Sequence, residues 1–176
     1  MRERLLADGS LYSGYHPEME AVRRRNAARL REIVAEFGWP GRSLVGDDGA
    51  VAAWRVAQHA IGEPDFMREC LRLVEAAAAA DEVPAWQAAY LLDRIRVFEG
   101  RPQRYATQFD VGDDGWPVPA PLEDPDGVDE RRRSVGLEPL ADQMSRAERS
   151  APRDREERER FDRRYEEWLR EVGWRK

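Results

Sequence analysis

Lysine, cysteine and histidine, which supply much of the chemistry of enzymes, are nearly missing from this 176-residue chain. The one lysine is Lys176, so Schiff-base chemistry and a lysine-based phosphate loop have no internal residue to use. The one cysteine, Cys70, excludes an internal disulfide framework and a cysteine-based zinc site. Two histidines remain, His16 and His59, and their side chains titrate near neutral pH when unperturbed.

Long apolar runs and an excess of positive charge are also missing. No run of 18 or more apolar residues occurs, so we expect no membrane-spanning helix. Residues 1–6 lack the apolar stretch of a secretory signal, and we expect a cytoplasmic protein. The formal net charge of -6 argues against a broad nucleic-acid-binding surface. A hydrophobic content of 41%, with six tryptophans, predicts a folded chain whose length fits one domain.

Prolines and glycines divide the first part of the chain into four predicted helices. Pro17, Pro64 and Pro84 mark the starts of three of them, and Asp47 and Asp48 are candidate caps of the other. Apolar residues nearly surround the fourth helix, which we therefore expect to be the central and most buried one. The predicted helices span residues 17–37, about 50–60, from 64 onwards, and 85 to about 99.

The sequence pattern then changes from helical to alternating. Residues 103–111 alternate, which predicts a strand with Thr107 and Gln108 on opposite faces. The Asp-Gly pair at 114–115 predicts a hairpin turn into a short strand at 116–118. An isolated hairpin is marginal in water, so we expect this one to lie against the helices.

We predict a mainly α fold, a single-domain helical array with one small β-hairpin and a charged C-terminal helix. Residues 1–144 form the helical domain, with the hairpin near 103–118 and short helices at 128–135 and after Pro139. Residues 145–176 form the charged amphipathic helix. Its apolar stripe docks on the chain's own surface or, alternatively, makes a homodimer or partner-protein contact. The stripe consists of Phe161, Tyr165, Trp168, Leu169 and Val172.

Several short strings stand out together in this sequence. They are Gly14–Met19, Gly38–Pro40, Gln58–Ala60, Gln103–Gln108, and Val128–Arg132 followed by Val135–Leu137. With them the chain resembles a bacterial family of domains of unknown function, frequent in high-GC organisms, whose hallmarks are Gln-His-Ala and Tyr-Gly-Thr-Gln motifs. The resemblance runs roughly from Asp8 to Met144, implies no reaction, and singles out His59 and Gln108. Ala106 stands where the family usually has glycine, which argues against a positive φ there.

His59 is the leading candidate for chemistry near neutral pH. It lies on the helix predicted at 50–60, among small or apolar residues. In one interpretation its imidazole is a general acid or base in a pocket. In the other it is a buried structural histidine that donates one N–H to a backbone carbonyl and holds the hairpin against the helices.

Gln108 is the second candidate catalytic residue. A glutamine at a strand end can orient a water molecule or hydrogen-bond a substrate amide or carboxylate. It can equally satisfy the backbone of a neighbouring loop. The residue type alone leaves both roles open.

Four polar residues on the fourth predicted helix are candidate substrate-binding residues. Gln87, Tyr90 and Arg94 share one face, and Asp93 lies beside Arg94. Buried charges need partners, because an unpaired one is costly. Arg94 binds a carboxylate or phosphate group of a ligand, or else Asp93 and Arg94 pair with the helix at 128–133. The internal network is the favoured alternative.

We predict no metal site and no cofactor. His59 and Glu63 are four residues apart, but Gly62 and Pro64 break the helix there. Residues 124–127 resemble a calcium loop only superficially, because the glycine is misplaced and the final glutamate is missing. The sequence has neither a Gly-x-Ser-x-Gly elbow nor a glycine-rich phosphate loop.

Two functional hypotheses follow from these residues. The first is a small soluble enzyme, of hydrolase or lyase type, that acts on a small-molecule or peptide-like substrate through acid/base chemistry at His59. In it Gln108 and Tyr90 position the substrate and Arg94 anchors an anionic group. The alternative is a non-enzymatic helical binding or scaffold module, in which the region around His59 is a structural polar network.

Overall fold

The computed structural model describes residues 17–147 and 155–176, so the candidate residue His16 lies outside the described part. Within the described residues the chain forms seven helices and one two-stranded sheet, which confirms the predicted mainly α fold with a single small hairpin. The helices are α1 (Pro17–Phe37), α2 (Arg42–His59), α3 (Pro64–Ala79), α4 (Ala85–Phe98), α5 (Val128–Ser134), α6 (Leu140–Ser145) and α7 (Arg155–Glu171).

The main core lies among α1, α2, α3 and α4. The apolar stripe of α3 contributes Phe66, Cys70 and Val74, all of them buried. Burial raises the pKa of the Cys70 thiol to about 12, so this side chain is a neutral packing group. α4 packs against both α2 and α3, as expected of a helix with apolar residues on nearly all sides. The polar residues of α4 are therefore held in place by neighbouring helices.

α2 is longer than the sequence predicted and contains a break. It begins at Arg42, well before the predicted start, and its helical geometry is interrupted at Gly46, where φ is +71°. Glycine adopts this conformation at little cost, whereas a residue with a side chain does so rarely. The candidate caps Asp47 and Asp48 come directly after the break. The segment beyond it carries Trp54 and His59.

The hairpin is shorter than predicted. β1 (Phe109–Val111) pairs antiparallel with β2 (Pro117–Pro119), and Gly115 in the turn has a φ of +85°. The strand starts at Phe109 rather than at residue 103. Residues 104–108 form an irregular loop, because several of their N–H groups bind a side chain of α4 instead of a partner strand.

The end of the chain is part of the same core. Trp168 and Leu169 of α7 are buried with the other helices, and so is Trp174 beyond it. The indole N–H of Trp174 donates to the carbonyl oxygen of Ile61 at 2.7 Å, and its ring lies 5.1 Å from that of Phe98. The apolar stripe is thus used within the chain. None of the described helices combines the length and apolarity needed to cross a bilayer.

Candidate functional site

Asp93 is completely buried in α4, and the loop at 104–108 wraps around its carboxylate. Backbone N–H groups of Arg104, Tyr105 and Thr107 donate to it at 2.7, 3.0 and 3.1 Å. The Thr107 hydroxyl donates to it as well, at 3.0 Å. Burial raises the pKa of Asp93, and these hydrogen bonds oppose that effect. The carboxylate is thus committed to the loop rather than to a ligand.

Ala106 gives this loop its shape. Its φ is +52°, in the left-handed region, although alanine at this position argued against a positive φ. An alanine in this conformation costs roughly 1 kcal/mol, which the hydrogen bonds to Asp93 offset. The turn at Ala106 lets residues on both sides of it point their N–H groups at one carboxylate.

Arg132 of α5 binds the same loop through its carbonyl groups. Its buried guanidinium donates to the carbonyl oxygens of Tyr105 at 2.7 Å and Ala106 at 3.2 Å. It also donates to the carbonyl oxygen of Glu138 at 2.7 Å and to the amide oxygen of Gln143 at 2.6 Å. The loop therefore joins two buried charges, because its N–H groups bind Asp93 while its carbonyl groups bind Arg132. The expected pairing of α4 with α5 is made through peptide groups.

A chain of side-chain hydrogen bonds extends this network towards α2. Arg94 donates to the Gln108 amide oxygen at 3.1 Å and to the Gln58 carbonyl oxygen at 2.8 Å. Gln108 in turn donates to the Thr107 hydroxyl oxygen at 3.1 Å. The prediction that Thr107 and Gln108 lie on opposite faces of a strand was wrong, because the irregular loop brings their side chains into contact. Arg94 and Gln108 thus form part of the polar framework.

Gln103 and Gln87 are both completely buried, and only the first is used by this framework. The Gln103 amide donates to the carbonyl oxygens of Gln108 and Ala120 and accepts from the Gln108 N–H, all within 2.9 Å. Neither side-chain amide atom of Gln87 has a hydrogen-bond partner in the part of the chain that the structure describes. The Gln87 carbonyl oxygen accepts the indole N–H of Trp54 at 3.0 Å.

His59 lies at the last position of α2, exposed to solvent. Desolvation by the surrounding chain and the positive charges of Arg94 and Arg23 lower its pKa to about 4. Water still reaches more than a third of the residue, so screening moderates the influence of its neighbours. At neutral pH the imidazole is therefore uncharged and a weaker base than an unperturbed histidine. Among the described residues it has no hydrogen-bond partner that would fix its orientation.

An open cleft of about 620 Å³ lies on another part of the surface. Of the candidate residues from the sequence, Tyr90 lines it, whereas His59, Arg94 and Gln108 do not. The cleft is lined by aromatic side chains of α2 and α4 and by polar ones of the α5–α6 region. The residues concerned are Trp54, Trp86, Tyr90, Arg132, Glu138 and Gln143.

The three aromatic rings of the cleft stand nearly at right angles to one another. Their centroids are 4.9 Å apart for Trp54 and Trp86, 6.0 Å for Trp54 and Tyr90, and 5.9 Å for Trp86 and Tyr90. The angles between the ring planes are 85°, 87° and 82°. Sequence analysis missed both tryptophans, although Trp86 and Tyr90 are four residues apart on one helix and hence neighbours.

Acidic, histidine and cysteine side chains do not cluster into a set of three or more that could hold a metal ion within the described ranges. The features that stand out are instead a helical domain, a buried polar network around one loop, and an open aromatic cleft. This chain belongs to a family described as a family of unknown function (DUF6624), which it matches over residues 13–151. Neither a curated protein nor a solved structure matches it.

Proposed function

We propose that this chain is a helical binding module whose ligand site is the cleft lined by Trp54, Trp86, Tyr90 and Arg132. The observation that carries the proposal is the convergence of three aromatic side chains and one buried arginine on a single open cavity. A concave site with mostly aromatic walls and a few fixed polar groups is typical of small-molecule recognition. The ligand is a small molecule or a peptide-like group.

The buried network explains how the cleft keeps its shape. Arg132 is held by four acceptor atoms, two of which belong to the loop that Asp93 fixes. The aromatic wall is tied together by the bond from Trp54 to the Gln87 carbonyl oxygen. A site whose walls are fixed before the ligand arrives loses less entropy on binding. In this proposal Asp93 and Arg94 have structural roles.

The experiment that tests this proposal is a ligand-detected NMR screen of a metabolite library against the full chain. Trp86→Leu removes one wall of the cleft, and Trp116→Leu is a matched control, because Trp116 is exposed on the hairpin outside the cleft. We expect hits that Trp86→Leu abolishes and that Trp116→Leu and His59→Ala retain. Hits lost in His59→Ala but kept in Trp86→Leu, or an absence of hits that depend on Trp86, would contradict the proposal.

A second candidate function, acid/base catalysis at His59, is favoured by one observation. His59 is exposed to solvent at the end of α2, where a substrate can reach its uncharged imidazole, although a pKa of about 4 makes it a weaker base than an unperturbed histidine. To test it, each hit from the screen is incubated with the protein and followed by NMR for chemical conversion. Conversion that stops in His59→Ala supports an enzyme of hydrolase or lyase type. Unchanged hits, or conversion that continues in His59→Ala, speak against it.

A further inference from the structure

We propose that the cleft binds a small zwitterion that carries a methylated ammonium group at one end and a carboxylate at the other. The aromatic rings of Trp54, Trp86 and Tyr90 would enclose the ammonium group, and Arg132 would bind the carboxylate. This inference rests on the proposed function and names the class of its ligand.

The arrangement of the rings is the first argument. Three rings around one cation can be compared with the three faces of a cube that meet at a corner, which are perpendicular to one another. If the ring centres are 5–6 Å apart, a cation at the centre of the cube lies about 4 Å from each ring, well within cation–π range. The rings of Trp54, Trp86 and Tyr90 fit this description, with separations of 4.9 to 6.0 Å and angles of 82° to 87°. In the proposed cage these three faces point into the cleft, and a compact, nearly spherical group such as trimethylammonium would contact all three at once.

A flat ligand would use this wall poorly. Sandwiching a planar ring requires two parallel walls, whereas these planes are close to perpendicular, so a flat molecule could stack on one ring only. The Tyr90 hydroxyl makes no hydrogen bond among the described residues. The proposed cage uses the face of the Tyr90 ring and does not need the hydroxyl.

The positive charge in the lining of the cleft is the second argument. Four of the five N–H groups of Arg132 donate to protein acceptors, and the fifth has none among the described residues. Arg132 lines the cleft but is completely buried, so a ligand carboxylate would reach this N–H only after a small shift of the lining. None of these acceptors is a carboxylate, and Arg132 forms no ion pair within the described part of the chain. The Glu138 carboxylate, which also lines the cleft, pairs with Arg146. A ligand carboxylate would complement the guanidinium, and a simple cation would be repelled by it.

The test is calorimetric or NMR titration of the full chain with trimethylammonium carboxylates that have one, two or three methylene groups between the charges. Each has a neutral-headed control of the same shape, in which a tert-butyl group replaces trimethylammonium. Choline is the control that lacks the carboxylate. We expect at least one zwitterion to bind about tenfold more tightly than its tert-butyl control and than choline.

Protein variants locate the binding. Trp86→Leu and Tyr90→Leu should each weaken it about tenfold, whereas Tyr90→Phe, which keeps the ring, and Trp116→Leu, outside the cleft, should leave it unchanged. Thermal unfolding of each variant establishes that it folds. The contact with the carboxylate is tested by changing the ligand and not by substituting Arg132, because Arg132 also holds the loop together.

Each contrary result has a separate meaning. If the tert-butyl acids bind as tightly as the zwitterions, the cleft recognises the shape of the head group and not its charge. If choline binds as tightly as the zwitterions, Arg132 does not bind a carboxylate. Either one overturns the inference. If no zwitterion binds while library hits still depend on Trp86, the inference fails and the binding module stands. If no compound binds in a way that depends on Trp86, both the inference and the proposed binding module fail.

Discussion

Gln87 and Gln103 show how the same side chain can have opposite effects on stability. Both are completely buried. The Gln103 amide satisfies three backbone groups of the loop and hairpin, so its removal would leave them unpaired in the interior. Gln87 has no side-chain partner among the described residues, so its burial costs free energy that no hydrogen bond returns. Gln87 thus lowers the stability of α4 next to Trp86 of the cleft.

Substitution by methionine, which has a similar volume, should separate the two residues. We expect Gln103→Met to lower the free energy of unfolding by about 2–4 kcal/mol, and Gln87→Met to leave it unchanged or to raise it by about 1 kcal/mol. Urea denaturation of both variants beside the wild type measures these changes. A Gln87→Met protein that loses as much stability as Gln103→Met would disprove the assignment.

His59 should make the stability of the fold sensitive to acid. Its pKa in the folded protein is about 4, below the ordinary value of 6.5, so the unfolded state binds more protons between these two values. The contribution of the neutral imidazole is complete above about pH 6.5 and is lost as the pH falls through about 4. After solvent screening is allowed for, we expect a loss on the order of 1 kcal/mol.

His59→Gln, which cannot titrate, is the matched variant for this effect. Urea denaturation at a series of pH values should show a shallower acid loss for the variant than for the wild type in that window. Identical slopes for the two proteins would mean that the folded-state pKa of His59 is not lowered.

At the scale of elements, the loop at 104–108 shows where the sequence pattern misled. Tyr105, Thr107 and Phe109 alternate with polar residues, and that period predicts a strand. β1 begins later than the predicted strand because N–H groups of the loop bind Asp93, which belongs to another element, instead of a partner strand. A buried carboxylate competes for backbone donors, and no local pattern reveals that competition.

Ala106 offers a direct test of this loop. Replacement by glycine removes the cost of the left-handed conformation but also a buried methyl group, so we expect a gain in unfolding free energy of up to about 1 kcal/mol. Ala120→Gly is the control: Ala120 is also buried, but its φ is not positive, and this change should cost about 1 kcal/mol. Thermal or urea denaturation distinguishes the two. A loss in both variants would contradict a strained Ala106.

Most helices could be read from the sequence because their signals are local. The bounds of α1 were predicted to the residue, and α4 was predicted within one residue of its end. Only the part of α2 beyond Gly46 was predicted, because this glycine, with a φ of +71°, breaks the helical geometry and separates a short first segment from it. Whether the chain resumes its helix after a glycine depends on packing beyond the glycine, which no local signal reveals.

At the scale of the whole molecule, the C-terminal segment completes the core. Trp174 packs against Phe98, donates to Ile61, and has the guanidinium of Arg68 5.1 Å from its ring. Trp174→Ala should therefore lower the free energy of unfolding by about 3–5 kcal/mol. The exposed Trp116→Ala, measured in the same denaturation series, should change it by less than about 0.5 kcal/mol. Similar small effects of both changes would mean that α7 and its extension are not part of the core.

The candidate site could be predicted only in part, because residues from distant parts of the chain form it. The sequence singled out Asp93, Arg94 and Gln108 as related residues, and the structure joins them in one network. The sequence favoured an internal network for Asp93 and Arg94, but it did not place Gln108 beside Arg94. The cleft is built from Trp54, Trp86 and residues of the α5–α6 region, which are far apart in the chain and carry no common motif. Such a site exists only once the elements are packed.

The loop between Asp93 and Arg132 also bears on how the molecule opens. Amide hydrogens of Arg104, Tyr105 and Thr107 belong to a segment outside any helix or strand, where exchange with solvent deuterium is ordinarily fast. Local opening of this segment would strip Asp93 of its hydrogen-bond donors and Arg132 of two of its four acceptors at once. These amides should therefore exchange as slowly as those in the middle of α4, through unfolding of the entire domain, and the least regular segment would be among the last to exchange.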